Sequence, residues 1–256
     1  MHPLFAKFNL LNKEIIIGTF GLLVVVSFIL SFILVLILAK KKNYDVSDTF
    51  DNLLLILSGG ILSALITGLF YTDNILKINS SYSPTLISWG GFLGGIIVVI
   101  ILKLRWKIEI FKLLDLIIPG YTLALAIGRI GCFFGGCCYG KHTDSSWGVY
   151  YINKIAPASN SVQPLIPVQL ISSFVLVIIT VILIYSLFKS KIPGNTFVLF
   201  LFLYSIKRFS IEFFRDDNRH FLFGLSDGQC YAILLFAAGM TLVFRNKIIA
   251  AIKSKV

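Results

Sequence analysis

Two short stretches of the sequence place charged or thiol side chains beside long apolar runs. The first, "AIGRIGCFFGGCCYG" at 126–140, carries Arg129 and then three cysteines. The second, "RFSIEFFR" at 208–215, places Arg208 and Glu212 four residues apart, the spacing of neighbours on one face of a helix. Because the planar guanidinium donates several hydrogen bonds to carboxylates or phosphates, both stretches favour recognition of an anion.

The composition indicates that these charges lie in a membrane protein. Of 256 residues, 57% are hydrophobic and 14% are charged, whereas about a quarter of the residues of a globular protein are charged. The apolar runs are continuous and each is close to the ~20 residues of a membrane-spanning helix, so we predict an all-α polytopic protein rather than a barrel. Seven runs are predicted, at about 15–39, 52–71, 84–102, 111–131, 165–188, 193–213 and 229–244.

The distribution of basic residues predicts the orientation. Four segments on one predicted side hold 13 of the 23 lysines and arginines. By the positive-inside rule that side is cytoplasmic, which places the N-terminus outside and the C-terminus inside. The formal charge of +11 is then explained by anionic lipid, and no nucleic-acid partner is predicted. The 13 residues are Lys40, Lys41, Lys42, Lys103, Arg105, Lys107, Lys112, Lys189, Lys191, Arg245, Lys247, Lys253 and Lys255.

We predict a single transmembrane domain over 1–256, with extracytoplasmic loops at about 139–164 and 214–228. The first loop carries Trp147, Tyr150 and Tyr151, aromatic residues typical of a membrane surface. It is either an ordered cap or a simple loop. The first apolar run is predicted to be an anchor rather than a signal peptide, because it is long and ends at lysines.

The third predicted helix has small residues at helical spacing. Gly90 with Gly94, and Gly91 with Gly95, form small-xxx-small pairs. Such pairs allow close helix packing. The alternative is that their bare backbone lines a lipid or substrate cavity.

The two arginines are predicted to lie at similar depth. Arg129 is 14 residues beyond Asp115, and Arg208 is 15 residues beyond Pro193, so each lies about 21–22 Å along its helix. Glu212 alone does not balance both arginines, and the abundant anion of a membrane is lipid phosphate. We therefore predict a phospholipid-headgroup site; the alternative is a structural Arg208–Glu212 pair with Arg129 snorkelling to the surface.

Several stretches together resemble the prolipoprotein diacylglyceryl transferase family. They are "DLIIPGYTLALAIGRIGCFFGGCCYG" at 115–140, "RFSIEFFRDDNRHFLFGLSDGQ" at 208–229, "PVQL" at 167–170 and "GGFLGG" at 90–95. The resemblance implies a seven-helix enzyme of the bacterial plasma membrane. It implies transfer of the diacylglyceryl group of phosphatidylglycerol to the lipobox cysteine of a prolipoprotein, with release of glycerol 1-phosphate.

The resemblance also implies roles for individual residues. Arg129 and Arg208 are expected to bind phosphate and to stabilise charge on the leaving group, and Glu212 to orient Arg208 or the headgroup. The residues expected to bind substrate are Arg129, Gly140, Gln169, Gly90 and Gly91. No cofactor and no metal are predicted, and the pattern carries no signal for the oligomeric state.

The sequence departs from the family pattern on the side of the acceptor. Trp89 stands where members commonly carry a histidine, and Cys132 and Cys137 stand where Asn and Glu are common. Phe20 and Ile166 replace a Tyr and a His of the pattern. Cys132 and His220 are the remaining candidates for a nucleophile or general base. Transfer to another acceptor, and non-catalytic lipid binding or transport, stay as alternatives.

The cysteines allow four interpretations from sequence alone. A disulfide is one, since these residues lie on the predicted oxidising side. Buried free thiols, a zinc site with His142, and a catalytic thiol at Cys132 are the others. The spacing to His142 fits no common zinc pattern.

Overall fold

The computed structural model describes residues 4–10, 13–71, 84–106, 108–151, 163–216, 220–222 and 224–253. Within these ranges the chain forms seven helices, one for each predicted apolar run. They are α1 Thr19–Lys41, α2 Val46–Tyr71, α3 Pro84–Trp106, α4 Ile110–Gly135, α5 Val168–Lys189, α6 Asn195–Glu212 and α7 Asp227–Lys253. The strands are β1 Leu4–Leu10, β2 Lys13–Gly18, β3 His220–Leu222 and β4 Leu225–Ser226.

The N-terminal hairpin corrects two predictions. β1 and β2 pair antiparallel, with Leu10 opposite Lys13 and Asn9 opposite Glu14. The first helix therefore begins at Thr19 rather than near residue 15, and the chain is not purely α-helical. The physical reason is the β-branched run Ile15–Ile17 of β2, which is apolar enough for a membrane helix but favours extended backbone.

Five of the described helices are long and apolar enough to cross a membrane: α1, α2, α4, α5 and α7. Large apolar side chains on them face outward; Phe174, Val181 and Leu234 are 68%, 62% and 68% exposed. Contiguous apolar surface of this kind suits lipid rather than water. Helix α6 is not among these five helices, and three of its 18 residues are charged. The count of seven spans and the orientation of the termini stay predictions.

The contacts group the chain into two compact units. In the unit 36–114, α2 packs against α3. A Cβ on Gly94 would lie 2.5 Å from the carbonyl oxygen of Gly59, and one on Gly91 would lie 3.5 Å from that of Gly60. The glycines at 91 and 94 therefore allow two backbones to approach, as the packing interpretation predicts.

In the other unit, 1–35 with 115–256, α6 packs against both α5 and α7. A buried apolar cluster with Leu183 and Leu201 lies in this unit. The carboxylate of Asp115 on α4 accepts hydrogen bonds from the backbone N–H groups of Gly194, at 2.6 Å, and Phe197, at 2.8 Å. Asp115 thereby caps the first turn of α6, where backbone donors lack helical partners.

The described part of the 139–164 loop, which is predicted to be extracytoplasmic, is ordered by backbone pairing. Gly140 bridges to Arg215, and both His142 and Val149 bridge to Leu165. Trp147 and Tyr150 are 52% and 57% exposed, as a surface aromatic should be, but Tyr151 is 4% exposed and packs against Leu165. Tyr151 therefore packs inside the loop, and the position of this loop relative to the membrane stays a prediction.

Candidate functional site

The predicted pairing of Arg208 with Glu212 is present in the structure. Nη1 of Arg208 lies 2.8 Å from Oε2 of Glu212, and the side chains are 16% and 6% exposed. Nη1 of Arg215 lies 3.9 Å from the same carboxylate oxygen. One carboxylate therefore holds two guanidinium groups. Both contacts are ion pairs rather than hydrogen bonds, since Nη1 of Arg208 and Oε2 of Glu212 have no hydrogen-bond partner among the described residues.

Arg129 joins this group from α4. It interacts electrostatically with Arg208, with Tyr204 and with the thiol of Cys132. The structure thus places the two arginines, which were predicted from separate helices to lie at similar depth, within electrostatic range of each other. Since Arg208 and Arg215 already share Glu212, Arg129 adds a further positive charge to a group with a surplus of cations.

Lys207 is a member of the site that the sequence analysis did not identify. The residue is 7% exposed, and its Nζ atom has no hydrogen-bond partner among the described residues. Its Nζ atom lies 5.6 Å from the centroid of the Tyr204 ring. Its charged neighbours are Arg129, Arg208, Arg215 and Glu212. Burial and three guanidinium neighbours disfavour a charge on this amine, so the cations of the site are the arginines, which among the described residues lie around one carboxylate, an arrangement that favours an added anion.

Gln169 was predicted to bind substrate, and its side chain is 1% exposed. Its Nε2 donates hydrogen bonds to the carbonyl oxygen of Cys137, at 2.8 Å, and to the hydroxyl of Tyr151, at 3.0 Å. Its Oε1 atom is buried and has no hydrogen-bond partner among the described residues. A buried acceptor of this kind can receive a hydroxyl or N–H donor from a ligand.

Gly140, also predicted at the site, is buried where the loop meets the end of α6. A Cβ here would lie 2.7 Å from the carbonyl oxygen of Phe214 and 2.8 Å from Cβ of Ile166. Its N–H donates to Ile166 at 3.0 Å. Gly140 therefore allows the loop to lie directly against the chain that carries Arg215.

Three of the four cysteines form one cluster. The Sγ atoms of Cys132, Cys137 and Cys138 all lie within 4.8 Å of one another, and all four cysteines are free thiols. Hydrogen bonds with the Cys132 and Cys137 thiols lower the pKa of the Cys138 thiol. Burial opposes this shift, and the charges of Arg129 and Arg215 reinforce it. Cys230 of α7 is not a member of the cluster.

The zinc interpretation that used His142 does not match the described geometry. Nε2 of His142 lies 3.0 Å from a carboxylate oxygen of Asp144, and Nδ1 lies 3.0 Å from the carbonyl oxygen of Pro164. The imidazole is therefore engaged elsewhere in the loop. The three thiols come together without it.

Three other positions named in the sequence analysis lie partly outside the described residues. His220 lies in β3, and its backbone pairs with Ser226, but its side chain lies outside the described part of the structure. The surroundings of Gly90 lie outside it too, as does the side chain of Trp89. The roles assigned to these residues stay predictions.

The fold and the site define a class: a helical membrane protein with a buried cluster of arginines and one carboxylate. A sequence model of the family described as prolipoprotein diacylglyceryl transferase matches residues 8–245. The chain belongs to this family, which confirms the family predicted from the sequence motifs and, with it, the prediction of a transferase.

Three relatives carry the name phosphatidylglycerol–prolipoprotein diacylglyceryl transferase. One, numbered 2, from Clostridium perfringens, is 30% identical over 238 residues, covering 91% of this chain and 92% of the relative. One from Clostridium tetani is 31% identical over 206 residues, covering 79% and 82%. One from Dehalococcoides mccartyi is 31% identical over 207 residues, covering 77% of each.

Proposed function

We propose that this protein transfers the diacylglyceryl group of phosphatidylglycerol to the lipobox cysteine thiol of a prolipoprotein and releases glycerol 1-phosphate. The reaction takes place at the bacterial plasma membrane, in which the chain is a multi-pass protein. The observation that carries the proposal is the arginine cluster of the site: among the described residues, Arg129, Arg208 and Arg215 lie around the carboxylate of Glu212. The phosphate of the lipid supplies further negative charge to this cluster.

The chemistry is a displacement at carbon. The acceptor sulfur forms a bond to the glyceryl carbon, and the bond from that carbon to the phosphate ester oxygen breaks. The electron pair stays on that oxygen, so negative charge builds on the leaving phosphate. Arg129 and Arg208 stabilise this charge, and such fixed donors contribute about 10²–10³ in rate when they act on developing charge.

Glu212 acts through the arginines. Its Oε2 atom is 2.8 Å from Nη1 of Arg208 and 3.9 Å from Nη1 of Arg215, so its charge keeps both guanidinium groups near the proposed phosphate position. Gln169 contributes on the other side, because its buried Oε1 acceptor suits a hydroxyl of the headgroup glycerol. Gly140 contributes indirectly, by placing the loop directly against the chain that carries Arg215.

A second candidate is transfer of the same group to a different acceptor. Trp89 stands at the position of the family histidine, and cysteines stand at 132 and 137. These differences affect the acceptor side, while the arginines of the phosphate side are retained. The second candidate therefore shares the donor lipid and differs in the nucleophile.

Purified protein in vesicles tests both candidates. It would be incubated with phosphatidylglycerol and a lipobox peptide, and the peptide mass and free glycerol 1-phosphate would be followed. The proposal expects both products in equal amounts, and expects none with a peptide whose cysteine is replaced by serine. Absence of both products, from folded protein, would contradict the first candidate and favour the second, whose acceptor is not present in these vesicles.

A further inference from the structure

The spacing of the three clustered thiols matches the needs of one metal ion. A zinc ion binds thiolate sulfur at about 2.3 Å, so three sulfurs on one tetrahedral ion lie about 3.8 Å apart. The Sγ atoms of Cys132, Cys137 and Cys138 all lie within 4.8 Å of one another. Closing the remaining gap requires a shift of about 1 Å or less, within reach of small side-chain rotations.

The backbone around the cluster is shaped to turn the thiols toward each other. After α4 ends at Gly135, Gly136 and Cys138 both take left-handed conformations, with φ of 68° and 58°. A side chain disfavours this region, so the conformation of Cys138 has to be held by its surroundings. Two contacts do this: the N–H of Cys137 donates to the Cys132 carbonyl at 3.1 Å, and Gln169 donates to the Cys137 carbonyl at 2.8 Å.

The charges around the cluster suit an anionic metal–thiolate group. Three thiolates and one Zn²⁺ carry a net charge of −1. Arg129 and Arg215 both interact electrostatically with Cys138, so this charge has two cationic neighbours. The cluster is also next to the phosphate site, because Cys132 follows Arg129 by three residues on the same helix.

We propose that Cys132, Cys137 and Cys138 form a Zn²⁺ site with three thiolate ligands, and that its fourth position binds the acceptor cysteine as a thiolate. This rests on the proposed function. The acceptor thiol gives its proton to water on binding, since a zinc-bound thiol is deprotonated. Its sulfur then bonds to the glyceryl carbon as the C–O bond to phosphate breaks, and the electron pair leaves on the phosphate oxygen. Zinc stays divalent, and nothing is oxidised or reduced.

This site explains how a thiol is activated in a chain with Trp89 at the position of the family histidine. A free cysteine is only a few per cent thiolate at pH 7. A three-ligand zinc site with an open position performs the deprotonation without a general base.

Cobalt titration of the full-length, reduced protein tests the site. We expect one Co²⁺ per chain, with sulfur-to-cobalt charge-transfer absorption and the d–d bands of a tetrahedral ion, displaced by Zn²⁺. Cys137→Ser and Cys138→Ser should each weaken Co²⁺ binding by more than about 100-fold. Cys230→Ser is the matched control and should bind as the parent does. Size-exclusion profiles establish that each variant is folded.

Two further measurements separate this proposal from the proposed function. Arg129→Gln should lose transfer but keep Co²⁺ binding, so failure of transfer does not imply failure of the site. Adding a lipobox peptide should shift the cobalt spectrum toward four sulfur ligands, and a serine-containing peptide should not. Absence of Co²⁺ binding while all four thiols titrate as free, a disulfide among the three, or an equal loss in Cys230→Ser would each overturn the site. Binding without a peptide-dependent shift would overturn the acceptor role.

Discussion

The side-chain amide of Gln169 donates a hydrogen bond of 2.8 Å to the backbone carbonyl of Cys137. This contact ties the first turn of α5 to the loop that carries two of the clustered thiols. The same amide donates to the Tyr151 hydroxyl at 3.0 Å, so one buried group connects a helix, the thiol loop and the residues that follow it in the 139–164 loop.

Gln169→Leu should therefore loosen the thiol loop and remove the buried acceptor. We expect transfer to fall by about 10–100-fold, the range seen when supporting contacts of a site are removed. Alkylation of Cys137 and Cys138 should become faster, as followed by mass spectrometry. Gln163→Leu, at an exposed position of the neighbouring loop, is the control. Unchanged alkylation in Gln169→Leu would contradict the role given to the amide.

The phosphate site gives the largest expected effects. Arg129→Gln and Arg208→Gln should each lower transfer by at least about 10²–10³-fold, because each removes a donor for the leaving phosphate. Arg129→Lys and Arg208→Lys should restore little, since an ammonium lacks the planar fork. Arg105→Gln changes an exposed arginine of α3 and should retain activity. Parent-like rates in Arg129→Gln would remove the central role of that residue.

Gly228 offers a way to disturb the arginine–glutamate pair without touching either residue. A Cβ at this position would lie 2.5 Å from both Nη2 of Arg208 and Oε2 of Glu212. Gly228→Ala should push the two groups apart and lower the rate of transfer by about 10²-fold, as a misplacement of about 1 Å does. Gly21→Ala, where nothing lies within 4 Å, should leave the rate unchanged. Equal rates for both variants would mean that the pair tolerates displacement.

Lys207 should contribute to binding of the anionic lipid. Lys207→Met removes a buried hydrogen-bond donor from the site, so we expect a higher KM for phosphatidylglycerol with a smaller change in kcat. Lys189→Met is a close match, because Lys189 lies over the ring of Tyr185 at 5.3 Å as Lys207 lies over Tyr204 at 5.6 Å. Lys189 is exposed, and its variant should retain the parental KM. A lower KM in Lys207→Met would show that the amine opposes binding.

The predicted orientation can be measured with reporters. A fusion after Val256 should report a cytoplasmic location, and one inserted near Ser145 should report an external location. The reason is the concentration of basic residues on four same-side segments. The reverse labelling in both fusions would place the arginine site in the other leaflet.

Some of the site could be predicted because it depends on local spacing. The i, i+4 interval alone indicated that Arg208 and Glu212 pair, and the seven apolar runs indicated seven helices. Lys207 could not be recognised in this way, since a lysine beside an arginine on a helix usually faces solvent or lipid headgroups. Its burial results from the packing of α6 against its neighbours, which no local pattern reports.

The thiol cluster could not be predicted from the sequence for a different reason. Cys132 is in α4, and Cys138 reaches it only because the backbone reverses through positive φ at Gly136 and at Cys138 itself. A glycine suggests such a turn, but a cysteine in that region does not. The N-terminal hairpin was missed because the hydropathy of Ile15–Ile17 suits either a membrane helix or a strand.

The hydrogen bond from Gly194 to Asp115 joins α4 and α6 at one point. Arg129 is fourteen residues beyond Asp115, and Arg208 is fourteen residues beyond Gly194. Each arginine therefore lies about 21 Å along its helix from this hydrogen bond. The two helices are thus joined at one point, and each arginine lies the same number of residues beyond it. One residue inserted between this hydrogen bond and the arginine in only one of the helices would move that arginine by about 1.5 Å along the helix and turn it by about 100°. The position of each charge along its helix is thus set by a count of residues.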